Sequence, residues 1–433
     1  MSEADTQFVV AQLGARMHYA VPRILSSAGM LARFYTDSLA TRTDGFRSQI
    51  LQFLGSRSRS VRRLRTRIPQ AIEPDRIKAF QEFGWEYALR LRMARLTGRE
   101  RSAFLWAGRK FNNLVIREPW DRAGGVYVFN SAGLEILQVA RQRGLMGFVE
   151  QTIAPCAVEH QLLSAEYAAW PGWESHPERR DLVATYAGRE RQEWELADWI
   201  VCGSEFVAEG IRQVGGCWQK CVVVPYGVDY APTTVREFSR KSSLNVLFAG
   251  QVGLRKGAPY FYQAAGVLPA TRFHFRMVGP CLLSEHAARA ISDRVALIGA
   301  VPRTAMAEQY RWADVLVLPS ICEGSATVTY EALAAGVPVI ATRNAGTVVR
   351  DGVDGFIVPA RDHGAIAQKL ELLYSDPDRL RQLSQNASAR AREYTIEKYA
   401  ERLLSVLRQP YASSWANPLM SDSVGKRDTP DNE

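Results

Sequence analysis

Short apolar runs alternate with longer amphipathic segments over most of the chain. The runs at 125–129, 199–202 and 221–224 are typical of buried strands, and the segments between them carry apolar residues at helical spacing. A polar segment at 230–243 interrupts the alternation, which then begins again at Asn245. Because parallel strands that are buried on both faces appear as short continuous apolar runs, the pattern predicts two parallel sheets covered by helices.

The first part of the chain has a different pattern. The run from Gln7 to Leu13 predicts a strand, Gly14 a turn, and the residues from His18 a helix. A long basic stretch follows, to about Trp120, and we predict it to be mostly helical.

A chain of 433 residues is too long for one ordinary core, so two domains are expected. We place the N-terminal domain at 1–235, with a basic helical insertion at about 40–120, and the C-terminal domain at 236–395. A last helix at 396–412 precedes a polar tail, 413–433, whose composition predicts disorder. Two parallel sheets in sequence imply a cleft between the carboxyl ends of their strands, and functional residues are expected in the loops there.

The charge is strongly positive, with a net charge of +9. Residues 56–67 contain six arginines and no acid, and Trp85–Arg99 sets arginines among Leu, Met and Trp. Two interpretations stay open: a solvated surface, or contact with an anionic membrane surface or anionic acceptor. Nucleic acid is not expected as a partner, since no nucleic-acid reader motif accompanies the charge.

No apolar run reaches the length of a membrane span, and the N-terminus lacks the basic start of a signal peptide, so we expect a cytoplasmic protein with reduced thiols. No metal is expected either. Cys217 and Cys221 lack a second Cys/His pair to complete a zinc site. Asp376 and Asp378 match a D-x-D pattern, but the sequence SDPDRL is typical of a helix start.

The loop AGQVGLRKG, at 249–257, follows an apolar strand and precedes a helix. Backbone amides at a helix start, together with the cations Arg255 and Lys256, are what binding of a phosphate requires. The alternative is a glycine-rich turn with solvated cations.

A second motif, EGSATVTYEAL, places Glu323 in a loop and Glu331 in the second turn of the helix that follows. Both acids belong to one short element, so they cannot face each other across a sugar as the carboxylates of a glycosidase do. A carboxylate accepts hydrogen bonds from both hydroxyls of a diol, so the two acids suit two parts of one elongated ligand. The alternative is an acid at the helix dipole and an exposed helical glutamate.

Taken together, these segments resemble the retaining glycosyltransferases of family four, which have the GT-B fold. The matching pieces cover nearly all of 197–362, and the E-x7-E spacing of Glu323 and Glu331 is the most specific of them. The resemblance implies an α/β architecture of two doubly wound, Rossmann-like domains facing a central cleft, with the C-terminal helix crossing back to the N-terminal domain. The N-terminal domain would bind the acceptor and the C-terminal domain the nucleotide-sugar donor.

The resemblance also implies roles for single residues. Glu323 would contact hydroxyls of the donor sugar, Glu331 the ribose diol, and Lys256 the diphosphate. Family members commonly have arginine where Gln251 stands, and Arg255 would replace that cation. The resemblance implies further donor residues. The amides at the helix start are those of Gly324, Ser325, Ala326 and Thr327. Val301 and Arg303 would lie against the base, and Gly14 belongs to the N-terminal glycine loop that closes over the donor. On the acceptor side the candidates are His18, Gln151 and Thr152.

The function expected from the resemblance is metal-independent, retaining transfer from a nucleotide-diphosphate sugar to a glycan, lipid-linked or small-molecule acceptor. The nucleotide sugar would be a co-substrate, and no cofactor is expected. Two alternatives stay open: a sugar phosphorylase or nucleotide-sugar epimerase of the same fold, and a non-catalytic, membrane-associated binding protein.

Overall fold

The computed structural model describes residues 6–39, 71–174, 180–229 and 242–409 and contains two parallel sheets. The first sheet has seven strands in the order β3-β2-β1-β4-β5-β6-β7: β1 Phe8–Gln12, β2 Leu31–Thr36, β3 Ile77–Ala79, β4 Gly125–Phe129, β5 Met146–Gln151, β6 Trp199–Cys202 and β7 Cys221–Val223. The second has six in the order β10-β9-β8-β11-β12-β13: β8 Leu244–Ala249, β9 Phe273–Val278, β10 Val295–Gly299, β11 Val315–Leu318, β12 Val339–Thr342 and β13 Gly355–Val358.

Helices cover these sheets. In chain order they are α1 Ala20–Ser27, α2 Gln81–Leu96, α3 Glu100–Ile116, α4 Leu134–Gln142, α5 Cys156–Ala169, α6 Arg180–Leu196, α7 Glu205–Gln213, α8 Ala258–Val267, α9 Glu285–Ser292, α10 Arg303–Trp312, α11 Thr327–Ala334, α12 His363–Ser375, α13 Pro377–Ala391 and α14 Ile396–Leu407. The Asp376 carboxylate accepts a hydrogen bond from the Arg379 amide at 2.9 Å, which confirms that SDPDRL starts a helix.

The central strands of both sheets are fully buried, as the apolar runs of the sequence predict. Every residue of β1, β4 and β11 is buried, and pairing is parallel throughout. Since the carboxyl ends of parallel strands lie at one edge of a sheet, the loops after β1, β5, β8 and β11 are collected at two facing edges.

The stretch after α1 was predicted mostly helical, and it contains the long helices α2 and α3. It also contains β2 and β3, which were not predicted and which extend the first sheet beyond β1. In β2 the polar Arg33 stands within the apolar run, and its guanidinium donates to the Asp121 carboxylate at 2.6 Å. The arginine-rich run 56–67, most of the predicted linker and the polar tail lie outside the described residues.

The last helix crosses back to the first sheet, as predicted. The ring of Tyr399 on α14 packs edge-on against Tyr226, with centroids 5.9 Å apart. The Arg402 guanidinium donates to the backbone carbonyls of Pro225 and Tyr226, and Thr395 pairs with Val228 in a parallel bridge. These contacts tie the C-terminal end of the chain to the segment that follows β7.

Candidate active site

The two motifs predicted to bind the donor meet in one cluster of charges. Glu323, in the loop after β11, accepts from the Arg255 guanidinium at 2.6 Å and lies 2.9 Å from the Lys256 ammonium. Both cations lie in the 3-10 turn that follows β8. The cluster holds one carboxylate and two cations, so its formal charge is +1 and suits an added anion.

Burial and charge act in opposite directions on these groups. Burial alone would raise the pKa of Glu323, but the two adjacent cations outweigh it and lower this pKa below its ordinary value. For Lys256, burial and the neighbouring Arg255 outweigh the attraction of Glu323, so the lysine pKa is lowered. The lowered pKa keeps the Glu323 carboxylate ionised.

The backbone fixes this cluster. The carbonyl of Arg255 accepts from the amides of Ile321 and Cys322, so the loops after β8 and β11 are tied directly. Gly250 has φ +121°, and a Cβ there would lie 2.8 Å from Cε of Lys256. Glycine at this position therefore leaves space for the Lys256 side chain to extend to Glu323.

The short segment between the two glutamates was expected to offer open amides. The Ala326 amide is an exception, because it donates to the carbonyl of Ala345 at 3.0 Å. The Ser325 hydroxyl contacts Tyr330 Oη at 2.7 Å, which holds the segment before α11 against the helix. Among the described residues no acceptor bonds to the amides of Ser325 and Thr327, as expected at the start of a helix.

Glu331 lies on α11 and is held by a residue that the sequence analysis did not single out. Tyr310 on α10 donates its hydroxyl to the Glu331 carboxylate at 2.7 Å. The same helix begins at Arg303, directly after Val301 and Pro302. Helix α10 therefore connects two predicted parts of the donor site. Its start adjoins Val301, predicted to lie beside the base, and its Tyr310 contacts Glu331, predicted to bind the ribose.

Arg303 and His18 come from opposite halves of the chain and contact each other. The Arg303 guanidinium is hydrogen-bonded to His18 Nε2, and it also lies 3.6 Å from the Asp229 carboxylate. Partial burial and the nearby guanidinium lower the pKa of His18. His18, predicted on the acceptor side, thus lies against a residue predicted to bind the donor.

The glycine loop before His18 has an unusual backbone. Gly14 has φ +73°, and Met17, His18 and Tyr19 all have positive φ, which is costly for residues with a side chain. The Gly14 amide donates to Asp37 Oδ1 at 2.9 Å, and this contact anchors the loop. Strain of this kind clusters at ligand sites, but it left no signal in the sequence beyond the glycine.

Gln151 is fully buried, and its predicted contact with an acceptor stays a prediction. Its side-chain amide donates to the Ile153 carbonyl at 3.0 Å and to Glu190 at 2.9 Å, and its oxygen accepts from Trp194. Both amide hydrogens are thereby used within the N-terminal half. These bonds connect the end of β5 to the loop that follows it and to α6.

Two buried glutamates of α6 support the same edge of the sheet. Glu190 accepts from the Cys156 amide at 2.8 Å, and Glu193 accepts from the Ser131 and Gly133 amides at 2.7 and 3.0 Å. Burial raises the pKa of Glu190 to about 7 and that of Glu193 to about 8. They fix the loops after β4 and β5, including the one that carries Thr152.

Thr152 lies at the contact between the two halves. Its hydroxyl donates to Asn130 Oδ1 at 2.8 Å, and its backbone carbonyl faces Gly324. A Cβ on Gly324 would lie 2.0 Å from that carbonyl oxygen. On the other side of Gly324, its own carbonyl accepts from the Ser204 hydroxyl. Gly324 is therefore packed between two loops of the N-terminal half.

Two further acids cross between the halves and were missed in the sequence. Glu174 accepts from the Leu254 amide at 2.5 Å, at the start of the turn that carries the two cations. Burial raises the pKa of Glu174. Glu166 on α5 is fully buried and accepts from Tyr260 at 2.8 Å and Arg361 at 2.5 Å. Only the folded structure brings these acids to the C-terminal half, since nothing near them in sequence indicates the partner.

Gln251 is half-buried two residues after β8, beside the charge cluster in sequence. Its predicted contact with the donor stays a prediction, as do the roles of the other donor residues. No described helix is both long enough and apolar enough to cross a membrane.

Comparison with known sequences gives matches to part of the chain. Residues 243–376 match the family model described as "Glycosyl transferases group 1". The D-inositol 3-phosphate glycosyltransferase of Xylanimonas cellulosilytica is 32% identical over 245 residues, which are 51% of this chain and 59% of that protein. The enzyme of the same name from Thermobispora bispora is 34% identical over 37% of this chain and 42% of its own. The chain thus spans about half the length of the curated relatives it matches.

Comparison with solved structures concerns nearly the whole chain. Sucrose-phosphate synthase from Thermosynechococcus elongatus aligns with a TM-score of 0.65 at 18% identity, over 94% of this chain and 100% of that one. The Anabaena protein HepE, solved in complex with UDP and glucose, aligns with a TM-score of 0.59 at 14% identity, also over 94% and 100%. At these identities the likeness shows the fold, and it confirms the predicted arrangement of two Rossmann-like domains.

Proposed function

We propose that this protein, a GT-B-fold member of the group 1 glycosyltransferases through its residues 243–376, transfers a sugar from a nucleoside diphosphate sugar to an acceptor hydroxyl. We further propose that the transfer retains the anomeric configuration and needs no metal ion. One observation carries the proposal: Glu323 contacts Arg255 and Lys256 in the cleft, and Glu331 follows on the same loop–helix unit.

Breaking the bond between sugar and phosphate develops negative charge on the departing diphosphate. In this proposal Arg255 and Lys256 stabilise that charge, together with the amides of Ser325 and Thr327. Arg255 and the buried Lys256 share the one carboxylate of Glu323, so their cluster carries a net positive charge that favours a phosphate. Preorganised donors of this kind lower the barrier because they need no reorganisation when charge develops.

The two glutamates then have separate tasks. Glu323 is held by the cations and lies where sugar hydroxyls would bind next to the diphosphate. Glu331, oriented by Tyr310, would accept from the ribose diol, and the base would lie against Val301 and the start of α10. The acceptor hydroxyl would attack from the N-terminal side of the cleft, where Thr152 and His18 lie.

The HepE structures contain UDP and UDP-glucose, so uridine donors are the first to test with this chain. The acceptor is proposed only by class, as a glycan, a lipid-linked molecule or a small molecule. The family match covers the C-terminal half, and the acceptor side lies in the other half. We also propose that the protein works in the cytoplasm at an anionic membrane surface, which its net charge of +9 supports.

Nucleotide binding tests the assignment of Glu331. We expect UDP to raise the melting temperature of the unaltered protein, and Glu331→Ala to abolish that shift, because the ribose loses its carboxylate partner. Tyr310→Phe should weaken UDP binding to a smaller degree, since the carboxylate remains but loses the hydrogen bond that orients it. The control is Glu371→Ala, an exposed glutamate on α12. A Glu331→Ala protein that is folded and binds UDP with unaltered affinity would contradict the assignment.

A further inference from the structure

The outer face of α2 is apolar and uncovered by any described residue. Trp85, Leu89, Met93 and Leu96 have exposed fractions of 52%, 63%, 57% and 76%. Their spacing of four, four and three residues puts them on one side of the helix. Of the ten large hydrophobic residues that are exposed in the described part of the chain, four belong to this stripe, so the stripe is a concentrated feature of the surface.

Cations surround this stripe. Arg92 and Arg95 are exposed on α2 itself, and Arg99 follows the helix. Arg90 lies over the ring of Trp106 on α3, 4.2 Å from its centroid. Helices that lie in a membrane interface typically have a row of apolar side chains, a large apolar residue such as Trp, and flanking arginines. Helix α2 has all three.

A basic groove runs beside the stripe, along α3. It has a volume of about 650 Å³ and contains three cations, Arg109, Lys110 and Arg117. Lys110 is paired with Glu86 of α2, which joins the groove to the helix. No described carboxylate forms an ion pair with Arg109 or Arg117, so both remain able to bind an anion from outside.

The charge of the region decides between the candidate occupants of this face. Residues 40–99 contain fourteen arginines and lysines against five aspartates and glutamates, an excess of +9 that equals the net charge of the entire chain. A second copy that presented the same face would be repelled. Residues 40–70 hold eight arginines and one aspartate, so they would be repelled as well. An anionic lipid surface has the complementary charge and also accepts apolar side chains.

We propose that α2 lies flat on an anionic bilayer, with the stripe Trp85–Leu89–Met93–Leu96 inserted among the lipids and the surrounding arginines at the headgroups. The α3 groove then holds a headgroup phosphate through Arg109 and Arg117. This docking surface is built from α2, α3 and Thr185 of α6, so the proposal does not depend on glycosyl transfer.

The docking surface adjoins the candidate active site. A Cβ on Gly84, in the first turn of α2, would lie 2.7 Å from the backbone oxygen of Asp37. Asp37 in turn anchors Gly14, at the start of the strained loop that carries His18. Docking of α2 therefore brings the acceptor side of the cleft to the membrane. This part of the inference rests on the proposed function, which it narrows to a lipid-linked acceptor.

Vesicle sedimentation tests the docking surface. We expect the full chain to bind vesicles of phosphatidylglycerol and phosphatidylcholine, and to bind vesicles of phosphatidylcholine alone at least about tenfold more weakly. Raising the salt concentration from 0.05 to about 0.5 M should weaken binding to the anionic vesicles, because exposed charges are screened. Equal binding to both kinds of vesicle would overturn the proposal.

Matched variants distinguish docking through α2 from non-specific binding of exposed apolar residues to vesicles. Leu89→Glu with Met93→Glu should weaken binding to the anionic vesicles about tenfold or more, since both the apolar contact and the local charge change. The control, Val267→Glu with Leu282→Glu, alters two equally exposed apolar residues in the C-terminal half and should leave binding unchanged. Arg109→Gln with Arg117→Gln should reduce the dependence on salt. Equal losses in the stripe and control variants would contradict the assignment to α2.

Two readouts distinguish the alternatives. Light scattering in solution detects a second copy: a dimer that dissociates in the Leu89→Glu/Met93→Glu variant would assign the stripe to self-association and overturn docking. The shift of melting temperature by UDP should be the same in this variant as in the unaltered chain, because the stripe lies outside the donor site. If UDP binding fails in both proteins while vesicle binding persists, the transferase proposal falls and the docking surface stands.

Discussion

Lys256→Ala is expected to reduce the rate of sugar transfer by about a hundred- to a thousandfold, which is typical for the loss of one preorganised donor to a developing anion. The ammonium lies 2.9 Å from Glu323 in a buried position, where a charge acts more strongly than in water. Its removal leaves Arg255 as the one cation that contacts Glu323. The rate should therefore fall in kcat, with the melting temperature measured in parallel to confirm that the variant folds.

Two variants control this experiment. Lys398→Ala removes an exposed lysine that pairs with Glu401 and should leave the rate unchanged. Arg255→Ala should also lower kcat strongly, because this guanidinium is the other contact of Glu323. If the Lys256→Ala protein folds and its kcat is unaltered, then Lys256 takes no part in catalysis, and its contact with Glu323 only stabilises the fold.

Gly324→Ala is expected to lower kcat/KM by about ten- to a hundredfold. The added Cβ would lie 2.0 Å from the Thr152 carbonyl oxygen and 3.0 Å from the Ile153 Cα, and both are backbone atoms that cannot rotate away. Overpacking of this kind costs about 1–3 kcal/mol, and each 1.36 kcal/mol in the barrier is a factor of ten. The clash lies between the two halves, so it separates the loop that carries Thr152 from the loop that carries Gly324.

The chain offers a matched control for this substitution. Gly266 lies in α8, where a Cβ would meet nothing within 4 Å, so Gly266→Ala should preserve activity and should not destabilise the helix. Comparison of kcat/KM and melting temperature for the two variants isolates the effect of the contact with Thr152. Unchanged activity in Gly324→Ala would show that the halves can separate there without cost to the reaction.

The sequence predicts this protein well where one physical cause, the burial of apolar residues, determines both the local pattern and the fold. The apolar runs predicted two parallel sheets, because strands of a parallel sheet are buried on both faces and therefore consist of continuous apolar residues. The loop positions of Arg255, Lys256 and Glu323 followed from the ends of those strands. Their mutual contact, 2.6 and 2.9 Å from one carboxylate, required only that the loops after β8 and β11 be neighbours.

What the sequence did not predict depends on contacts between distant segments. The Tyr310 hydroxyl reaches Glu331 from a different helix, and Glu174 reaches the Leu254 amide from the other half of the chain. The bonds of Gln151 to Glu190 and Trp194 of α6 were likewise not predicted, because these residues lie about 40 positions further along the chain. In β2, Arg33 interrupts an apolar run, and its contact with Asp121 is known only from the fold.

Transfer of a sugar from a nucleoside diphosphate can be tested with a screen of donors. Purified protein is incubated with uridine, guanosine and adenosine diphosphate sugars in the presence of anionic vesicles that carry membrane lipid extract, with a chelator added, and the released nucleoside diphosphate is measured. We predict release from at least one donor, insensitive to the chelator and lost in Lys256→Ala and Glu331→Ala. The absence of release from every donor, or equal release by the unaltered protein and both variants, would contradict the claim.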